Sequence, residues 1–156
     1  MAQNLKHFNI RVYAVILNEA DNAVLLSDEF QLGTRMTKFP GGGLHLGEGT
    51  IDCLKRESLE EFGQEIKIIS HFYTTDFFQK ALFYEDLQLI SIYYLARFAE
   101  PVKFKISEKA FDFDQDVNGS QSFRWVKVSD VSPEMLTLPI DKKVAIMIKE
   151  SLKPKS

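Results

Sequence analysis

The chain has 156 residues and a mass of 17.9 kDa, one domain by length, residues 1–156. Its 45% hydrophobic and 26% charged residues suit a globular core, and the single cysteine, Cys53, excludes an internal disulfide framework and fits a reducing compartment such as the cytoplasm. The formal charge of −3 gives no built-in attraction for a nucleic-acid polymer, and no apolar run approaches the roughly 20 residues of a membrane span.

Met1 to Asn9 is too polar for a secretory leader. Phe8 to Leu17 (FNIRVYAVIL) is β-branched and aromatic and predicts a buried strand. Asn18 to Asn22 is turn chemistry, and Ala23 to Glu29 completes a hairpin. Lys38-Phe39-Pro40 leads into Gly41-Gly42-Gly43, which reads as a break in regular structure. Thr50 is the expected N-cap of a helix over Ile51 to Phe62, stopped by Gly63. Gln64 to His71 predicts a strand, Phe72 to Phe83 another strand or two, and Leu87 to Phe98 the strongest strand in the chain. Val102, Phe104 and Ile106 alternate with Lys103 and Lys105, the pattern of a half-exposed strand. Ser107 to Ser122 is a long acidic loop, Phe123 to Val128 a strand, and Pro133 opens a short helix. Asp141 is placed to cap a last amphipathic helix carrying Val144, Ile148 and Leu152. Strands with helices between and after them predict a mixed α/β class with a mostly non-parallel sheet.

The chemistry-bearing segment is Gly42 to Gly63. At about 100° per residue, Ile51, Leu54, Ser58, Leu59 and Phe62 fall on a core-facing arc, while Glu57, Glu60 and Glu61 share another. Like charges one turn apart repel by roughly 0.2–0.5 kcal/mol per pair. Carboxylates in the last turn also face the negative end of the helix. A hard divalent cation with oxygen ligands reverses both effects. A solvated acidic face is the plainer reading of Glu60-Glu61 alone.

The pattern runs further: Gly42, five residues, Glu48, seven residues, Arg56-Glu57, two residues, Glu60-Glu61, one residue, Gly63. At roughly 6–7% per residue type, seven fixed positions coincide by chance about once in 10⁸ to 10⁹ starts. The segment resembles the Nudix box, G-x5-E-x7-R-E-U-x-E-E-x-G-U, where U is a large aliphatic residue. The order of the flanking strands and the last helix resembles that family too. Ser58 and Gln64 depart from the two U positions. The resemblance implies an α/β/α sandwich with a mixed sheet and the box as a loop–helix–loop. It implies hydrolysis of the pyrophosphate bond in a nucleoside diphosphate linked to another moiety: a nucleotide sugar, ADP-ribose or a nucleoside triphosphate. It implies that Glu57, Glu60, Glu61 and a backbone carbonyl near Gly42 hold Mg²⁺ or Mn²⁺, with Glu57, Glu60 and Arg56 serving catalysis. Arg56 orients the glutamates and Glu48 helps hold the loop. The expected partner is a small nucleotide, with neither a membrane nor a nucleic-acid polymer, and a homodimer is compatible with it. The alternative is a Nudix-fold module that senses a nucleotide without cleaving it. Such modules usually lose box carboxylates, and this chain keeps all of them.

Weaker candidates surround the box. Asp112, Asp114 or Asp116 could reach back as a base or extra ligand, as a late loop does in many family members, or the loop could simply be solvated. His45 could touch substrate or be a surface histidine. Cys53 falls on the carboxylate arc, where negative charge raises a thiol pKa and leaves it unreactive. Trp125 is most simply core. Neither a proline in Phe77 to Lys80 nor a well-placed tyrosine (Tyr84 is too far along) assigns a substrate subclass.

Overall fold

The computed structural model describes residues 4–152. The first hairpin forms as β1 (His7–Asn18) and β2 (Ala23–Gln31), followed by β3 (Thr34–Lys38) and β4 (Gly41–Gly43). The box helix is α1 (Thr50–Phe62); then come β5 (Ile66–Thr74), β6 (Leu87–Phe98), β7 (Gln121–Lys127) and α2 (Pro139–Ser151). The sheet runs β3-β2-β1-β6-β5, with β4 added to β1 and β7 to β2. Only β1 and β6 pair in parallel, from His7↔Leu87 to Ile16↔Ala96, so the sheet is mixed, as expected.

The interior strand β1 explains its own apolar run, because it is buried on both faces. Val12, Ala14 and Ile16 face one core with Cys53, Leu54 and Phe62 of α1. Tyr13 and Val15 face the other, with Ile140, Val144, Ala145 and Ile148 of α2. The sheet is thus sandwiched between two helices. Trp125 is half-buried against the α1 side, edge-on to Phe98.

Several expectations are corrected. Gly41 to Gly43 is strand β4, paired Arg11↔Gly43, Val12↔Gly42 and Tyr13↔Gly41, rather than a break. The ladder supplies what glycine's poor strand propensity does not. Beyond Thr74 the aromatic stretch makes only an isolated bridge, Lys80↔Gln88, and leaves Phe77, Phe78, Leu82 and Phe83 partly exposed. Val102 to Ile106 pairs with no strand: Phe104 and Ile106 pack onto the α1 core while Lys103 and Lys105 stay in water. Alternation there records burial, not a ladder. Pro133 opens only a 3₁₀ turn, Pro133–Met135. Asp141 caps nothing. It is buried in the first turn of α2, where it accepts from the Tyr93 hydroxyl and the Phe39 amide.

Candidate functional site

The cap of α1 is Gly49, not Thr50. Asp52 accepts the Gly49 N–H at 3.0 Å, while the Thr50 hydroxyl bonds to Tyr94 at 2.6 Å. Gly63 ends the helix in the left-handed conformation, as expected. The helix is rolled from the wheel reading. Ile51 and Leu59, expected in the core, are 41% and 52% exposed, whereas Cys53 is buried. The column Cys53, Glu57, Glu61 therefore faces inward, and Glu60 faces out. Burial, more than neighbouring charge, pushes the Cys53 thiol up to about 11, so it is unreactive.

Arg56 is the hub of the box. It donates to both oxygens of Glu48 (3.0 and 2.8 Å), to Glu57 (3.1 Å), to Glu60 (3.2 Å) and to the Gly43 carbonyl (3.0 Å). The forked guanidinium suits this, since it presents five donors in a fixed plane. Arg56 and the His45 amide hold the Glu48 carboxyl down at about 2. The exposed His45 contributes its backbone here, and its ring lies outside the cleft. The two departures from the family pattern form one unit. Buried Ser58 donates to the Gln64 carbonyl at 2.6 Å, and the Gln64 side chain bonds Pro101 and Lys103 of the next loop.

A cleft of about 400 Å³ opens beside α1. β1 and β2 pair only at Leu17↔Val24 and Asn18↔Ala23. Beyond that they part, and the cleft residues come from the parted halves: Asn9, Arg11 and Tyr13 on one side, Glu29, Gln31 and Leu32 on the other. Glu57 and Glu61 reach it from α1, across Gly42. A β-carbon at position 42 would lie 2.2 Å from the Glu57 carboxylate, so glycine is what admits that side chain.

Glu61 is the most perturbed group in the cleft. Desolvation raises its carboxyl to about 7, against the pull of Lys38 and with a further push from Glu29 and Glu57. One oxygen accepts from Gln121 at 3.3 Å. The other is sealed from solvent with no hydrogen-bond partner among the described residues.

Sequence reasoning missed Lys38, Arg11 and Glu29. Lys38 is buried, 3.3 Å from Glu29 and stacked 5.4 Å over the Tyr13 ring. Desolvation lowers its pKa, but Glu29, Tyr13 and Glu61 outweigh this and hold it above the ordinary lysine value. Arg11 donates to the Tyr13 hydroxyl at 3.1 Å. The available signal was charge beside apolar runs: Arg11 adjoins the buried stretch of β1 and Glu29 ends that of β2.

The structure brings Gly42, Glu57 and Glu61 together, and Arg56 and Glu48 behind them. It does not bring in the others. Glu60 is exposed beside Arg56. Asp112 sits between Lys105 and Lys109, Asp116 is clasped by Arg35 at 3.0 Å, and Asp114 is exposed; none of the three lines the cleft. The residue that reaches the carboxylates from the end of that loop is an amide, Gln121.

Among the described residues, no three His, Cys, Asp or Glu side chains form a ready-made metal cage. The donors do fit a cation that takes part of its shell from substrate and water. Glu57 and Glu61 are hard oxygen donors, and the orphaned Glu61 oxygen lacks the partner a cation would provide. No helix among the described residues is long and apolar enough to cross a membrane.

Comparison with known proteins agrees with this geometry. The fold is similar to a MutT protein from Methanosarcina mazei Go1 (TM-score 0.67, 20% identity, 96% of this chain and 98% of that one). It is similar to a NUDIX hydrolase from Nitrosomonas europaea (0.66, 20%, 92% and 88%). It is also similar to an ADP-ribose pyrophosphatase from Streptococcus suis 89-1591 (0.59, 16%, 95% and 94%). No curated protein matches the chain in sequence. The sequence profile described as NUDIX domain matches residues 7–146. With that match across most of its length, and two box carboxylates, Glu57 and Glu61, on one cleft, the chain belongs to the NUDIX domain family.

Proposed function

We propose that this chain hydrolyses the pyrophosphate bond of a nucleoside diphosphate linked to another moiety. The proposed metal site, for Mg²⁺ or Mn²⁺, is Glu57 and Glu61 beside the Gly42 backbone, with Glu60 at its outer edge. The observation that carries the reading is the buried, unpartnered oxygen of Glu61, on a residue that lines the same cleft as Glu57. Such a group costs roughly 1–3 kcal/mol while unsatisfied, and local violations of this kind mark function.

Each remaining part has a task in that chemistry. Bound between the carboxylates and a diphosphate, the cation supplies charge neutralisation and a more acidic water. Arg56 holds Glu57, a cleft residue, by one oxygen and makes no hydrogen bond to the other. Gln121 fixes the rotamer of Glu61. Lys38 and Arg11 offer positive charge to an anion in a chain whose net charge is −3.

The test is chromatographic detection of the cleavage products, a nucleoside monophosphate together with a sugar phosphate or pyrophosphate, from a panel of ADP-ribose, nucleotide sugars and nucleoside triphosphates. We expect turnover with Mg²⁺ or Mn²⁺ and none in excess EDTA. Full activity in EDTA refutes the metal site; no turnover on any substrate, with binding retained, favours the sensing module.

A further inference from the structure

Part of the sheet face that packs against α1 is polar where a buried face is normally apolar. β2 lies between β3 and β7, with Ser27 opposite Lys38 on β3 and Glu29 opposite Gln121 on β7. Directly opposed residues share a face, and so do residues two apart on one strand. Ser27, Glu29, Lys38 and Gln121 therefore project together, on the face where Leu25 and Phe123 pack into the α1 core. Ser27 is fully buried, and Glu29 and Lys38 are each 6% exposed. Polar groups this deep persist only where they are paired, so the pairing shows what they are for.

The donors converge on one oxygen of Glu29. Its Oε2 accepts from the Ser27 hydroxyl at 2.8 Å and from Gln121 Nε2 at 3.2 Å, with Lys38 Nζ 3.3 Å away. Lys38 also donates to the Phe39 carbonyl at 3.2 Å, which ties its ammonium to the backbone. Gln121 Nε2 lies 3.0 Å from Ser27 Oγ and 3.3 Å from Glu61 Oε1 as well. An amide nitrogen has two protons. Ser27 Oγ and Glu29 Oε2 are hydrogen-bonded neighbours and can share one, which leaves the other for Glu61. The carboxylates on both sides also fix which end of the amide faces them, because its own oxygen would meet only acceptors.

We infer that Glu29 is a positioning residue for the cation site: clamped by Lys38 and Ser27, its carboxylate orients the Gln121 amide, which in turn aims the Glu61 carboxylate. The inference rests on the metal-dependent reading above, which makes Glu61 a ligand. Lys38 makes its ion pair with Glu29 and none with Glu61 among the described residues. That division of labour suits a ligand. An ammonium paired directly with Glu61 would compete with a cation for its charge, whereas a neutral amide fixes the carboxylate and leaves the charge available. Partners that orient a ligand in this way typically weigh about 10- to 100-fold in metal affinity.

The test reads Mn²⁺ affinity by electron paramagnetic resonance on the whole chain, without nucleotide, alongside circular dichroism to verify folding. Gln121→Met keeps the length of the side chain and removes both N–H donors, and should weaken Mn²⁺ binding about tenfold or more. Glu29→Ala should weaken it to a similar degree. Glu29→Gln keeps an acceptor oxygen for Ser27 and Gln121 and should recover most of the loss, whereas a direct ligand would not be rescued by an amide. In Glu29→Ala/Gln121→Met the losses should not multiply, because both residues act through one contact to Glu61; independent damage to the fold would multiply them. Glu29→Ala leaves Lys38 buried without its counter-charge. If that variant does not fold, Gln121→Met, which strands no charge, decides alone. The inference is overturned by parent-like affinity in Gln121→Met, by Glu29→Gln as damaging as Glu29→Ala, or by multiplied losses in the double variant. A parent that binds no Mn²⁺ at millimolar concentration refutes the metal reading itself. A parent that binds, and loses binding in Glu61→Gln but not in Gln121→Met, refutes this inference and leaves the metal site standing.

Discussion

Adjacent glycines 41 and 42 fail differently on substitution, and the difference separates fold from site. At Gly42 the colliding atoms belong to the end of the flexible Glu57 side chain. Gly42→Ala should cost less than about 1 kcal/mol of stability, yet lower kcat/KM at least about tenfold by pushing Glu57 aside. At Gly41 a β-carbon would meet the Val12 carbonyl 2.1 Å away, and φ is +148°. Backbone cannot swing clear, so Gly41→Ala should destabilise by about 2–4 kcal/mol in a chemical melt. Glu61→Gln reverses sign with conditions. In EDTA it relieves a desolvated carboxylate, and the variant should be at least as stable as the parent. With Mg²⁺ at a hundred times Kd the parent gains about 2.7 kcal/mol, and the variant should lose most of that gain together with turnover. Thermal melts in both buffers read the crossing. A Glu61→Gln variant clearly weaker in EDTA would make this carboxylate a structural partner instead.

At the scale of elements, the box helix was legible in outline and misread in rotation. The caps of α1 fell within one residue of expectation because glycine and the apolar run are local signals. Its roll was not legible, because Ile51 and Leu59 are as apolar as Leu54. Only the packing of Cys53 against Gly43, a tertiary contact, shows which column turns inward. The Ser58–Gln64 pairing was likewise hidden. Each looked like a separate flaw, yet they share one hydrogen bond, and the Gln64 side chain makes two more that clip the helix end to the loop at residues 101–103. Ser58→Ala leaves the Gln64 carbonyl without that partner and should cost about 1–2 kcal/mol with kcat unaffected. The acidic loop is the opposite case, rich in chemical residues that make tertiary clasps. Asp112→Asn and Asp114→Asn should leave kcat within about twofold of the parent, whereas loss of a general base costs roughly 10²-fold or more. A drop of that size in either variant would return the loop to the chemistry.

For the whole molecule, the sheet and its two helical layers follow from strand periodicity, while the cleft follows from where β1 and β2 separate, which no local pattern encodes. Charges at the edges of buried strand runs were its visible trace. Three other carboxyls, Glu61, Asp141 and Glu48, set the response to pH. Desolvation raises the Glu61 carboxyl to about 7 and the Asp141 carboxyl to about 6. A carboxyl raised in the native state lends stability below its unfolded pKa, and that stability is lost as pH rises through the native value. Glu48 runs the other way: its contribution is present above the unfolded pKa and disappears only as pH falls toward about 2. In EDTA, Tm should therefore fall from pH 5 to pH 8, and the fall should shrink in Glu61→Gln. A Tm that climbs over that interval would contradict the buried carboxyls.

The clasps around the cleft join distant parts of the chain: Arg35 to Asp116, Thr37 to Thr137 and Phe39 to Asp141 span 81, 100 and 102 positions. A chain leaving the ribosome thus carries the whole box, ending near residue 64, long before it can assemble a cleft. Contacts of such sequence separation are slow to form, because loop closure precedes their reward. On refolding from denaturant, far-UV circular dichroism should recover ahead of nucleotide binding. In that interval Lys38 and Glu29 lack their final enclosure, and the nascent protein has its helix and strands but no place to hold a substrate.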